Sequence, residues 1–124
     1  MIGGMALSAL VVDDDPAFRT LAARLLAELG FDEVTATGDA AAAITQAEAR
    51  RPQAALVDIG LPDRDGIDLA CELAGLPWAP HVVLTSTDAD AVSVIASRAG
   101  STKLPFVPKE ELANGGLRAL LLGR

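Results

Sequence analysis

The chain has 124 residues, 51% hydrophobic and 22% charged, with 17 acids against 10 bases. That is one domain's length with an ordinary apolar core, which excludes a disordered chain and a pair of full domains. The net charge of −7 argues against sequence-independent nucleic-acid binding and against adhesion to an anionic membrane, since both need Lys and Arg against phosphate.

The single cysteine, Cys71, makes no internal disulfide, and no Cys/His cluster offers a structural zinc site. The apolar run over residues 6–12 lacks the basic start of a signal peptide and is followed at once by three aspartates. It also falls far short of the roughly 20 apolar residues of a membrane span. The expectation is one domain over residues 1–124, in the cytoplasm.

Strand-length apolar runs alternate with amphipathic helical segments. Residues 7–12 are short, β-branched and apolar on both faces, as a central parallel strand is. Asp15 followed by Pro16 reads as an N-cap and first helical position. Phe18, Leu21, Leu25, Leu26 and Leu29 then recur at helical spacing up to Gly30. Residues 34–37 form a second strand. Asp39 caps an alanine-rich helix with Ala42, Ala43, Ile44 and Ala47 inward, ending near Arg51-Pro52.

A third strand, residues 54–57, ends at Asp58, and a turn-rich loop runs from Gly60 to Gly66. Residues 67–74 form a third helix in which Cys71 reads as core filler. Trp78, between Pro77 and Pro80, packs a stiff loop, and His81 begins the fourth strand as a partly exposed structural residue. That strand covers residues 82–85, and a fourth helix covers 88–99. Residues 104–107, with Pro105 and Pro108 at their margins, suit a short strand at a sheet edge. Asn114 caps a last helix carrying Leu117, Leu120 and Leu121. Five strand–helix repeats with short loops predict an α/β fold, a doubly wound five-stranded parallel sheet.

Four polar features share one structural address, the residue just after a strand: Asp13-Asp14-Asp15, Asp58, Thr85-Ser86 and Lys109. The C-terminal edge of such a sheet is where ligands bind. If the strand order is 2-1-3-4-5, the first and third strands are neighbours, about 4.8 Å apart, and Asp58 and the first aspartates must share a small volume. Crowded carboxylates raise one another's pKa unless a proton is shared or a cation bound. An all-oxygen acidic pocket suits Mg²⁺. With Lys109 as a point charge and Thr85 as a hydroxyl donor, Asp58 is equipped to take up a phosphoryl group.

The stretches Leu10-Val11-Val12-Asp13-Asp14-Asp15-Pro16, the run from Val57-Asp58-Ile59-Gly60 to Asp65-Gly66, Val83-Leu84-Thr85-Ser86 and Phe106-Val107-Pro108-Lys109 together resemble the receiver domain of bacterial two-component response regulators. The likeness covers essentially the whole chain. It implies the flavodoxin-like receiver fold, order 2-1-3-4-5. It implies that Asp58 is the phosphoacceptor, with Asp14, Asp58 and the Gly60 carbonyl ligating Mg²⁺ and Asp13 acting partly through water. It implies further that Lys109 would pair with carboxylate or phosphoryl oxygens, that Thr85 would swing toward the phosphoryl group with Phe106 filling the space it leaves, and that Ser86 would keep the phosphoryl path open.

The implied partners are a sensor histidine kinase or phosphotransfer protein, and an output protein on the face of the fourth helix, fifth strand and fifth helix. Receivers often pair through that face, so a homodimer is among the expectations. The resemblance implies no nucleic-acid or membrane contact by this chain, and no enzyme beyond its own phosphotransfer and slow dephosphorylation. The chain departs from the family at Glu110, where many receivers carry proline, and over residues 100–105, where the lead-in to the last strand is unusual. Gly60 and Thr87 carry no amide or carboxylate to orient a hydrolytic water, which implies a long-lived phosphorylated state.

Two other readings fit parts of the chain. With Arg124 as the last residue, a stand-alone receiver is favoured over the receiver half of a DNA-binding regulator. Asp13-x-Asp15 also resembles the signature of haloacid dehalogenase-like phosphatases, but Ala17 stands where Thr or Val is expected and no cap insertion is present.

Overall fold

The computed structural model describes residues 6–98 and 104–123. Five parallel strands, β1 (Ser8–Val12), β2 (Glu33–Thr37), β3 (Ala54–Asp58), β4 (His81–Ser86) and β5 (Phe106–Pro108), lie in the order β2-β1-β3-β4-β5. Between and after them run α1 (Pro16–Glu28), α2 (Ala40–Arg50), α3 (Gly66–Ala74), α4 (Ala91–Ala96) and α5 (Leu117–Leu122). The doubly wound α/β sheet read from the alternation is therefore present.

The two-residue period of a strand sorts the core into two layers. Leu10, Val12, Ala55, Val57, Val82 and Leu84 face α2, α3 and α4, where Ala43, Ala47, Leu69 and Ile95 meet them. Ala9, Val11, Leu56 and Val83 face the other way, against Phe18, Ala22 and Leu26 of α1 and Leu117 and Leu121 of α5. Strands buried on both faces have no polar alternation to show, which is why β1 and β3 read as continuous apolar runs. β1 sends its chain to α1 on one face, and its neighbour β3 sends its chain to α3 on the other. A crevice must open between their C-terminal ends.

Local capping chemistry sets the helix starts. The Asp15 carboxylate accepts from the Ala17 N–H, Asp39 from Ala42 at 2.8 Å, and Asp65 from Ile67 at 2.8 Å. Asp63 accepts from Ala40 and Ala41 at 2.9 and 3.2 Å, so the β3–α3 loop also closes the first turn of α2. These two bonds, the Ala40 one first, hold the Asp63 carboxyl below its ordinary value.

Five expectations are corrected. Leu21 is 61% exposed, because the buried stripe of α1 runs through Phe18, Ala22 and Leu26 and Leu21 lies one position off it. Cys71 is exposed for the same reason, α3 burying Ile67, Ala70 and Leu73 instead. α4 is a short helix over Ala91–Ala96, since Ser86 and Asp88 side chains accept from the N–H groups of Asp88 and Asp90 and hold them in turns. The expected end at Ala99 lies outside the described residues.

β5 starts at Phe106 rather than Leu104, because Pro105 has no N–H for the ladder and contributes only its carbonyl, to the Leu84 N–H at 2.8 Å. Asn114 does not cap α5. A single 3-10 turn over Lys109–Glu111 intervenes, and Gly116, at φ 82°, is the residue that enters the helix.

One glycine is forced by close approach. A Cβ on Gly66 would stand 2.0 Å from the Asp58 carbonyl oxygen and 2.6 Å from the Ile59 Cα, both backbone atoms with nowhere to retreat. At Gly60 the nearest atom to such a Cβ is Asp58 Oδ1, at 3.9 Å. Gly66→Ala is therefore expected to destabilise the protein by about 3 kcal/mol, while Gly60→Ala stays near neutral; urea unfolding of the two variants measures the contrast.

Candidate functional site

The crevice gathers the sequence-predicted acids. β1 and β3 are hydrogen-bonded neighbours with Val12 opposite Val57, so the next residues, Asp13 and Asp58, emerge side by side. Asp13 is fully buried, Asp58 is 8% exposed and Asp14 is exposed. One carboxylate oxygen from each of Asp13, Asp14 and Asp58 falls within 4.8 Å of the others. Asp15 stands apart as the α1 cap, so the Asp13-x-Asp15 pair does not converge on one pocket.

Asp13 is held from several directions. Its N–H donates to the Thr37 carbonyl at 3.0 Å, and its own carbonyl accepts from Arg19 Nη1 at 2.8 Å. Asp13 Oδ1 accepts from the Asp15 N–H at 2.9 Å. Asp13 Oδ2 is buried and accepts no hydrogen bond of normal geometry; its partner is the Lys109 ammonium, at 2.6 Å.

Lys109 arrives just after β5 and spans the site. Its Nζ lies 3.6 Å from Asp58 Oδ2 and 4.1 Å from the centroid of the Phe18 ring. Its ion pair is thus closer to Asp13 than to Asp58, and the aromatic face beneath it adds a further attraction. Burial alone would lower the Lys109 pKa, but the Asp13 and Asp58 carboxylates outweigh it and hold the group above its ordinary value of 10.5. Lys109 is therefore charged throughout the physiological range. Its contribution to stability is lost only as pH rises through that raised value.

Asp58 moves the other way. Burial pushes its carboxyl above the ordinary 3.8, with Asp13 and Asp14 adding repulsion, while the Gly60 N–H, 3.1 Å from Oδ1, and the Lys109 charge oppose the rise. The Cα atoms of Asp58 and Thr85 are paired across β3 and β4. Thr85 is fully buried, and its hydroxyl donates to the Val107 carbonyl at 2.7 Å, turned toward β5. Ser86 is buried and accepts from the Asp88 N–H, whereas Thr87 and Gly60 are exposed. Phe106 is half-buried and lines a recess of about 170 Å³ with Val92, Ile95 and Ala96 of α4.

The donor set fits a hard dication. Carboxylate oxygens crowd together, one buried oxygen retains acceptor capacity, and no sulfur or imidazole is present among the three acids. Four contributors were not read as site residues. Phe18 reads as core alone, Thr37 and Gly66 act through backbone groups, and Arg19 reaches the Asp13 carbonyl with its guanidinium, none of which a side-chain motif announces. Only the placement of Gly66 in a Gly-Pro loop hinted at a close approach.

A strand-end acidic cluster beside a fixed ammonium thus sits at the switch point of a small doubly wound α/β domain. The family model of the response regulator receiver domain matches residues 9–112, and the chain belongs to that family. It is 38% identical over 120 residues to the photosynthetic apparatus regulatory protein RegA of Rhodobacter capsulatus, covering 95% of this chain and 63% of that protein. It is 34% identical over 123 residues to the probable transcriptional regulatory protein TcrX of Mycobacterium tuberculosis, covering 95% and 51%. A putative response regulator from Chloroflexus aurantiacus superposes with a TM-score of 0.78 at 21% identity, covering 97% of this chain and all of that one. The chain spans only 38–51% of the length of PdtaR and TcrX, two of its mycobacterial relatives.

Because folded Asp58 holds a proton more readily than the unfolded chain, stability falls as pH rises from 3.8 to its raised value. In chelator at pH 7, Asp58→Asn is expected to raise the unfolding midpoint by about 4 °C. The gain should vanish as pH drops below the carboxylate range. Scanning calorimetry at several pH values reads both.

Proposed function

We propose that residues 1–124 act as one receiver whose phosphoacceptor is Asp58, switched by Mg²⁺-dependent phosphoryl transfer from a histidine kinase or phosphotransfer protein. The observation that carries the reading is the meeting of Asp13, Asp14 and Asp58 beside Lys109 at a single strand-end crevice. An Asp58 carboxylate oxygen attacks phosphorus, the P–N bond of the donor phosphohistidine breaks, and the electron pair leaves with the imidazole. Lys109, fixed by Asp13 and Phe18, lies within reach of both Asp58 and the incoming phosphoryl oxygens.

Asp13, Asp14, Asp58 and the Gly60 main-chain carbonyl would hold Mg²⁺, which when bound neutralises the crowded acids and the charge on the phosphoryl group. Phosphate adds acceptor oxygens on the Asp58 side of Thr85. The Thr85 hydroxyl then has a charged acceptor to exchange for the Val107 carbonyl. Leaving β5 vacates space beside Phe106, whose recess against α4 offers it a second packing.

The face this changes, α4–β5–α5, exposes Val92 at 65%, Val94 at 40% and Leu120 at 37%. That apolar set suits an output partner or a second copy of the chain. The length and names of the regulators it resembles support a second setting, as the receiver part of a DNA-binding response regulator. No helix among the described residues is long and apolar enough to cross a membrane, and we place the protein in the cytoplasm.

Incubation with acetyl phosphate and Mg²⁺ is expected to add one phosphoryl group, read by intact mass. Asp58→Asn should abolish it, and Asp14→Asn or chelation should slow it by at least about tenfold. Modification that survives Asp58→Asn places the acceptor elsewhere, and multiple turnover of a phosphate ester would favour a phosphatase.

Gly60 and Thr87 are both exposed and bring no amide or carboxylate to the site. The phosphorylated form is therefore expected to persist for many minutes after donor removal, and Gly60→Glu to shorten its lifetime. Decay of the wild-type phosphoprotein within seconds contradicts this.

A further inference from the structure

At the opposite end of the sheet, where the strands begin, a cleft of about 530 Å³ opens between β1, β2, the end of α2 and the loop before β4. Its walls include Ser8, Glu33, Arg50, Arg51, Trp78 and His81. The volume falls in the range of small-molecule sites, roughly 300–1,000 Å³. None of these residues takes part in the acidic crevice.

Two residues of this cleft hold backbone conformations that side chains rarely adopt. Arg51 and Ala79 are the non-glycine residues with positive φ among the described residues, at 47° and 48°, and both line this cleft. Arg51 ends α2 in the left-handed region that glycine occupies most easily. The backbone there is worse served by arginine than by glycine, so the guanidinium is the part of the residue with something to do.

That guanidinium lies 5.3 Å from the centroid of the Trp78 ring and makes no hydrogen bond or ion pair with the described residues. Trp78 is itself fixed, its Nε1–H donating to the Pro52 carbonyl at 2.9 Å. Arg50 spends its Nε on Gln46 at 3.1 Å, and its terminal nitrogens have no acceptor among the described residues. In a chain of net charge −7, two adjacent arginines with spare donors and an imidazole at one cleft form a local anion-binding surface.

We propose that this cleft binds a nucleoside monophosphate. The phosphate takes the Arg50 and Arg51 donors with His81 beside them. The planar base lies against the Trp78 and Arg51 platform, as aromatic and guanidinium faces both favour. Glu33 is the one acid among the walls. A carboxylate there repels a bare phosphate ion but accepts from ribose hydroxyls or a base amino group, which selects the nucleoside form. The binding is independent of Asp58 and lies beyond the receiver reading.

Trp78 is the only tryptophan, and the chain has no tyrosine, so intrinsic emission reports on this cleft alone. AMP, GMP and inorganic phosphate would be titrated into the wild type and into Asp58→Asn, with equilibrium dialysis as a second readout. Saturable binding of a mononucleotide, unchanged in Asp58→Asn and weakened by added salt, is expected. Arg51→Gly suits the local backbone and so keeps the fold, and it should weaken binding about tenfold, as should Arg50→Gln. Absence of binding by dialysis, retention of full affinity in both arginine variants, or equal affinity for inorganic phosphate would each overturn the proposal.

Discussion

The structure turns on the crowding of carboxylates at the junction of β1 and β3, and on the one ammonium that makes it tolerable. Parallel pairing of the two strands leaves Asp13 and Asp58 no way to avoid each other. Water cannot screen an acid as buried as Asp13, so its charge needs a partner inside the protein. Lys109 supplies it from the end of β5, three strands along the sheet from β1, and Phe18 on α1 holds the ammonium in place. A group that must be neutralised where it stands thereby ties the middle of the sheet to its edge.

The same tie makes the site responsive. Lys109 is nearer to Asp13 than to Asp58, so its charge only partly offsets the burial that raises the Asp58 carboxyl above its ordinary value. Under the proposed phosphorylation, new negative charge on Asp58 would alter the balance at Lys109 and offer Thr85 a stronger acceptor than the Val107 carbonyl. Both of those groups belong to β5 or its margin. The β3–α3 loop is also stiff: Gly66 is packed against the Asp58 backbone, Asp63 caps α2, and Asp65, which caps α3, pairs with Arg98 just after α4. Asp58 accordingly stands between a tightly held loop on one side and the buried Thr85 hydroxyl on the other.

Much of this was legible in the residues. Continuous apolar runs ending in Asp13, Asp58, Thr85 and near Lys109 gave both the strands and the address of the site, because a doubly buried strand cannot hide where its polar end begins. Caps at Asp15 and Asp39 follow from side-chain oxygens placed before helical runs. Less legible were the faces of helices. Leu21 and Cys71 sit among apolar neighbours and yet face solvent, since a stripe about 100° wide leaves some apolar residues outside it. α4 and α5 start later than their patterns suggest, because the Asp88 carboxylate holds the Asp90 N–H in a turn and Gly115 and Gly116 take positive φ that a helix does not.

What the chain's order of residues determined by itself was the alternation of elements and the chemical type of each group at a strand end, both of which are local properties. Which group meets which was decided only by tertiary structure. The preference of the Lys109 ammonium for Asp13, the phenyl ring beneath it, the turn of Thr85 toward β5 and the pairing of Arg51 with Trp78 all join residues far apart in the chain. Their distances depend on how sheet and helices pack, and no local pattern encodes a distance across a core.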